Sequence, residues 1–109
     1  MSVQIRPHKR FAVRRPVSLH VEDSKRGGGL MIELSSQGCR ISRAEGGAFT
    51  ADQPVTLDLG EDERLEGRIR WAHGGVVGVK FARALRSAEL GQLLEASRAP
   101  AFEELRYGT

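Results

Sequence analysis

Apolar and polar residues alternate with period two along most of this chain, the mark of strands that bury one face. Over residues 15–22, Val17, Leu19 and Val21 alternate with Pro16, Ser18 and His20, which predicts a first strand. Residues 23–29 end in three glycines and read as a turn with a flexible tip. A second strand is expected over 30–34, with Ile32 and Leu34 on one face and Met31 and Glu33 on the other. Residues 35–38 form a tight turn, after which Cys39 and Ile41 alternate with Arg40 and Ser42 in a third strand. A loop over 44–53 leads to a fourth, where Val55, Leu57 and Leu59 alternate, and 60–62 is a turn. The clearest strand is Glu63–His73, with Leu65, Gly67, Ile69 and Trp71 on one face and Arg64, Glu66, Arg68 and Arg70 on the other. Gly74-Gly75 is a two-residue hairpin signal, followed by Val77, Val79 and Phe81 at alternate positions.

The period changes only near the end. Leu90, Leu93 and Leu94 make a helical stripe over 87–98, with Ser87 as the expected N-cap and Pro100 as a stop. Gly91 weakens that helix by about 1 kcal/mol relative to Ala, so packing must hold it. Phe102, Leu105 and Tyr107 would add a further short turn. Short strands joined by turns, then one amphipathic helix, predict a mainly β fold: a small antiparallel barrel capped by the helix.

At 109 residues the chain has room for one domain. We expect a barrel domain with its helix over 9–98, a flexible basic arm over 1–8 and a tail over 99–109. Charge sharpens that division. Residues 1–15 carry Arg6, Lys9, Arg10, Arg14 and Arg15 and no acid, giving +5, while the remainder is −2. Such polarity suits an anionic partner met by the basic segment, or merely a solvated tail. Cys39, the single cysteine, has no disulfide partner within the chain and reads as a buried, inert thiol. No stretch resembles a signal peptide or approaches the length of a membrane span, so a soluble cytoplasmic protein without membrane insertion is expected.

Two short motifs carry the candidate chemistry. Arg10-Phe-Ala-Val-Arg14 offers two permanently charged guanidinium forks, each able to grip phosphate or the O6/N7 edge of guanine. With 14 arginines in the chain, that spacing is cheap. Glu33-Leu-Ser35-Ser-Gln-Gly38 is more restrictive. Glu33 can accept from a guanine edge, Ser35 can reach phosphate or brace the turn, and Gly38 permits positive φ. The alternative is that these are ordinary turn formers beside a solvent-facing strand residue.

Other features read as structural. Trp71 and Phe81 are assigned to the core rather than to stacking platforms. His8, His20 and His73 are scattered, so no metal site is expected. Gly27-Gly28-Gly29 lacks the order of a phosphate-binding loop. Asp58, Glu61, Asp62 and Glu63 form a solvated acidic edge, and with no nucleophile beside a base, no enzyme and no cofactor are expected.

Taken together, Arg10-x-x-x-Arg14 with Arg15-Pro16-Val17, Ile32-Glu33-Leu34-Ser35-x-x-Gly38-Cys39-Arg40-Ile41, Gly67-Arg-Ile69-Arg-Trp71 and Gly78-Val79-Lys80-Phe81 resemble a PilZ domain across roughly residues 9–95. The resemblance implies a six-stranded antiparallel β-barrel with a C-terminal helix that binds the bacterial second messenger cyclic di-GMP. It implies an arginine motif on a flexible segment that folds over the ligand, and a second motif lining the barrel beneath. Position by position, it assigns ligand binding to Lys9, Arg10, Arg14, Arg15, Glu33, Ser35 and Gly38.

Two departures stand out. Glu33 replaces the family's usual Asp or Asn, shifting the acceptor by one methylene. Lys9 stands where an Arg accompanies binding of a stacked ligand dimer, which leaves the number of ligands open. The expected function is a sensor whose basic arm changes conformation on binding cyclic di-GMP and signals to a protein partner. The alternative is an adaptor of the same fold that binds the nucleotide weakly or not at all. Nucleic-acid binding is not expected, because the barrel is net acidic and only 6% of residues are aromatic.

Overall fold

A strand that buries alternate residues must find a neighbour on each edge, and here the ladder of neighbours returns to its start. The computed structural model describes residues 9–21, 27–45 and 49–97. Within them lie β1 (Phe11–Val21), β2 (Gly27–Leu34), β3 (Gly38–Ser42), β4 (Pro54–Gly60), β5 (Glu63–His73), β6 (Val76–Phe81) and the helix α1 (Ser87–Ala96). The strands form a closed antiparallel barrel in the order β1-β2-β3-β6-β5-β4, sealed where Ser18 to Val21 of β1 pair with Asp58 to Val55 of β4. Closure leaves neither β1 nor β4 as a free edge strand, since each has a neighbour on both sides.

The interior follows from the alternation. Val17, Leu19 and Val21 of β1, Val55, Leu57 and Leu59 of β4, and Val77, Val79 and Phe81 of β6 are all buried. Leu93 of α1 joins this core, with Leu90 and Leu94 packed against it. Among the described residues, no helix is long and apolar enough to cross a membrane.

The strand register slips at four places; the slip between Asp58 and Gly60 leaves the buried face of β4 intact, and the other three bear on the site. β1 runs on four residues earlier than the pattern predicted, with Phe11 opposite Leu34 and Ala12 opposite Glu33. Its next pair is Arg15 with Met31, so β1 holds one residue more than β2 in that interval. The arginine segment is therefore largely strand, not free arm. Against β3, β2 slips between Met31 and Glu33, which oppose the adjacent residues Ile41 and Arg40. Met31 and Leu34 consequently both point inward and are fully buried, correcting the expected pairing of Ile32 with Leu34. Against β6, β5 slips between Ile69 and Trp71, which oppose Val79 and Gly78. Ile69 is fully buried whereas Trp71 is 42% exposed, so Trp71 belongs to the surface and not to the core.

Two smaller corrections concern punctuation. Gly27, Gly28 and Gly29 pair with Leu19, Ser18 and Val17, so the glycine run is strand rather than hairpin tip. Arg86, not Ser87, takes the N-cap position of α1, because the Glu89 side chain reaches back to accept the Arg86 backbone N–H at 2.8 Å. The expected arm over 1–8, the helix's extension to Arg98 and the tail over 99–109 lie outside the described residues.

Both ends of α1 are tied to the barrel's motif segments. The Leu85 N–H, just ahead of the helix, donates to the Ser36 carbonyl at 2.8 Å, and the Arg14 N–H donates to the Ser97 carbonyl at 3.1 Å. If the core is the main source of stability, Ile69→Ala should lower the unfolding free energy by about 2–5 kcal/mol in a urea titration, with an unchanged far-ultraviolet spectrum below the transition.

Candidate functional site

The strand register alone lines up one row of outward side chains across the barrel. Ala12 of β1 is opposite Glu33 of β2, Glu33 opposite Arg40 of β3, Arg40 opposite Gly78 of β6, and Gly78 opposite Trp71 of β5. Gly78 has no side chain, and the indole fills the space: a Cβ there would lie 2.5 Å from ring atoms of Trp71. The ring therefore lies against the backbone of β6. The result is a cleft of about 330 Å³, walled by Arg10, Glu33 and the 35–38 turn on one side and by Arg40, Arg70, Trp71 and Lys80 on the other.

The turn wall is rigid for reasons the sequence contains. The Ser35 hydroxyl oxygen accepts the N–H groups of Gln37 and Gly38, each at 3.2 Å, while the Ser35 N–H donates to the Gly38 carbonyl at 2.9 Å. Ser35 thus braces the turn. The Phe81 N–H donates to the Gln37 carbonyl at 2.8 Å, fastening the turn to the end of β6. Gly38 is needed for a different reason from the one expected. Its φ is not positive, but a Cβ would collide with the carbonyl oxygen of Val79.

Charge in the cleft is unbalanced. One oxygen of Glu33 lies 3.6 Å from the Arg10 guanidinium and 3.9 Å from Arg40 Nε. Both distances exceed a hydrogen bond, so these are ion pairs without a shared proton. Arg70 and Lys80 add two further cations to the lining. A pocket with four cations, one carboxylate and an exposed indole is suited to an anion that carries a flat ring.

Of the expected ligand residues, Arg10, Glu33, Ser35 and Gly38 converge on this cleft, and Lys9, Arg14 and Arg15 are not in its lining. Arg14 is exposed in β1. Arg15 turns the other way: its side chain is 11% exposed and donates to the Leu59 carbonyl at 2.8 Å and to Glu63 at 3.0 Å, joining β1 to the β4–β5 turn. Sequence reading missed Trp71, Arg40, Arg70 and Lys80. The one available signal was Gly78, a glycine amid Val77 and Val79, which in a strand marks close approach by another group.

Cys39 lies beneath the cleft, and burial pushes its thiol up to about 12. Such a group stays protonated and unreactive at neutral pH.

A family model described as the PilZ domain matches residues 4–98. Among solved structures, the crystal structure of the PilZ domain of CeSA from a cellulose-synthesizing bacterium is similar, with a TM-score of 0.64 and 19% identity, covering 81% of this chain and 96% of that one. At that identity the likeness concerns the fold. Curated proteins gave no match.

Two outcomes follow from the side chains around the cleft. Arg15→Ala should lower stability by about 1.5–3 kcal/mol, read from chemical denaturation, because it removes charged donors from the Leu59 carbonyl and Glu63. For Cys39, the folded value lies above the ordinary thiol value of 9.0, so the unfolded thiol ionises first. The thiol's contribution to stability is complete below pH 9 and is lost as pH rises toward about 12. Comparing the unaltered chain with Cys39→Ala over that window isolates the effect, and a thiol reagent at pH 8 should label the protein only after denaturation.

Proposed function

The chain belongs to the PilZ domain family, whose members are binding and adaptor domains, and on that premise we propose that it is a non-enzymatic receptor for cyclic di-GMP. The observation that carries this reading is the convergence of Arg10, Glu33, Ser35 and Gly38 on one cleft whose far wall is Trp71. Each part has a chemical task. The Arg10 fork would grip a phosphate or the O6/N7 edge of a guanine, and the Glu33 carboxylate would accept from that base's Watson–Crick edge. The exposed indole of Trp71 would take the flat face of a base. The braced turn would keep its shape during binding.

Phe11 to Arg15 already lie in β1, so among the described motif residues Arg10, just outside the strand, is the one placed to close over a ligand. Signal would pass to a protein partner through that residue and through α1, whose two ends are hydrogen-bonded to Ser36 and Arg14.

A second reading, an adaptor that binds no nucleotide, draws on Glu33, whose longer side chain is engaged by two guanidinium groups. Titration calorimetry separates the two. The receptor should give saturable heat with cyclic di-GMP at tens of micromolar or below, and Arg10→Ala should weaken binding by about 10- to 100-fold, the loss of a charged hydrogen-bonding group. Trp71 is the only tryptophan, so its emission should change along the same isotherm. No saturable signal, or unchanged affinity in Arg10→Ala, would leave the adaptor standing.

A further inference from the structure

Arg40 lies two residues past the Glu33–Gly38 motif and carries no ligand assignment from it, yet it occupies the centre of the row that crosses the cleft. Its β2 neighbour is Glu33 and its β6 neighbour is Gly78, the residue covered by Trp71. Its side chain is therefore placed between a carboxylate and the glycine that the indole covers. The side chain as a whole is 41% exposed, but Nε is closed to solvent and has no hydrogen-bond acceptor among the described residues. An enclosed N–H without an acceptor costs free energy that a correctly placed oxygen would return.

Glu33 does not supply that oxygen. At 3.9 Å from Arg40 and 3.6 Å from Arg10, its carboxylate attracts both guanidinium groups without bonding to either. Two forks face each other across one anionic group, a geometry in which a tetrahedral phosphodiester, with its two unesterified oxygens, can bond to both sides. Lysine in either place would bring charge but no fork.

We propose that Arg40 is a second phosphate-gripping residue of the cleft, opposite Arg10, and that Glu33 stands between them where the ligand's phosphodiester binds. This rests on the cyclic di-GMP reading above and extends it along β3, whose first residue, Gly38, is the last of the second motif. On binding, the phosphodiester displaces the Glu33 carboxylate from the two guanidinium groups, freeing it to accept from a guanine. Arg40 then holds the phosphate while its neighbour Trp71 holds the base.

The test is calorimetry of the full chain with cyclic di-GMP for the unaltered protein, Arg40→Gln, Arg40→Lys and Arg83→Gln. Arg83 is exposed in the segment between β6 and α1 and controls for the loss of one charge. Arg40→Gln should weaken binding about tenfold or more, and Arg40→Lys should recover only part of that loss, since charge returns without the fork. Arg83→Gln should stay within about twofold, as an exposed, screened charge outside the cleft lining. Thermal melts accompany each variant, and if Arg40→Gln does not melt cooperatively, Arg40→Lys decides. Should the unaltered chain bind while the folded Arg40 variants match Arg83→Gln, the role of Arg40 is overturned and the receptor stands. Should the folded, unaltered chain give no saturable heat, both fall.

Discussion

Glu33 and Trp71, which stand on opposite sides of the cleft, owe their direction to the way a closed barrel absorbs extra residues. In a sheet with free edges, a strand that is one residue too long can slide or fray. Here each strand is bonded on both sides, and the surplus residue must be taken up locally as a bulge. The slip in β2 separates Met31, which enters the core, from Glu33, which faces the cleft. That in β5 separates buried Ile69 from exposed Trp71. The two bulges sit on either side of β3 and β6, so the groups they turn outward face each other.

This arrangement lets core packing and ligand chemistry share strands with little conflict. Cys39 and Val79 fill the interior while their neighbours Gly38, Arg40, Gly78 and Lys80 shape the cleft above. Within the cleft, glycine is required twice for the same reason, close approach. At Gly38 the intruder is the β6 backbone, and at Gly78 it is the face of the indole. Substituting either would disturb the barrel and the site together.

Polar groups near β1 divide by whether the barrel has already claimed them. Arg15 donates to Leu59 and Glu63 and acts as a strut between β1 and the β4–β5 turn. Arg14 contributes its backbone N–H to the end of α1. Arg10, just outside the first strand, is joined to the barrel only by a long ion pair with Glu33 among the described residues. Being weakly held and permanently charged, it is the group most easily drawn toward an incoming phosphate.

The sequence by itself determined the number, order and approximate limits of the strands, the terminal helix, the burial of Cys39, and the two motifs that mark one wall of the cleft. Periodicity and turn chemistry act over a few residues, so they can be read from a few residues. Only the tertiary structure decided where the alternation breaks, because a bulge depends on the register of a partner strand remote in sequence. Trp71 and Ile69 are two apart and alternation places them on one face, yet pairing with Gly78 and Val79 sends them to opposite sides. Arg40 and Trp71 lie 31 positions apart and become neighbours only because both oppose Gly78. The second wall of the cleft is a product of register, and register is a property of the closed barrel rather than of any one strand.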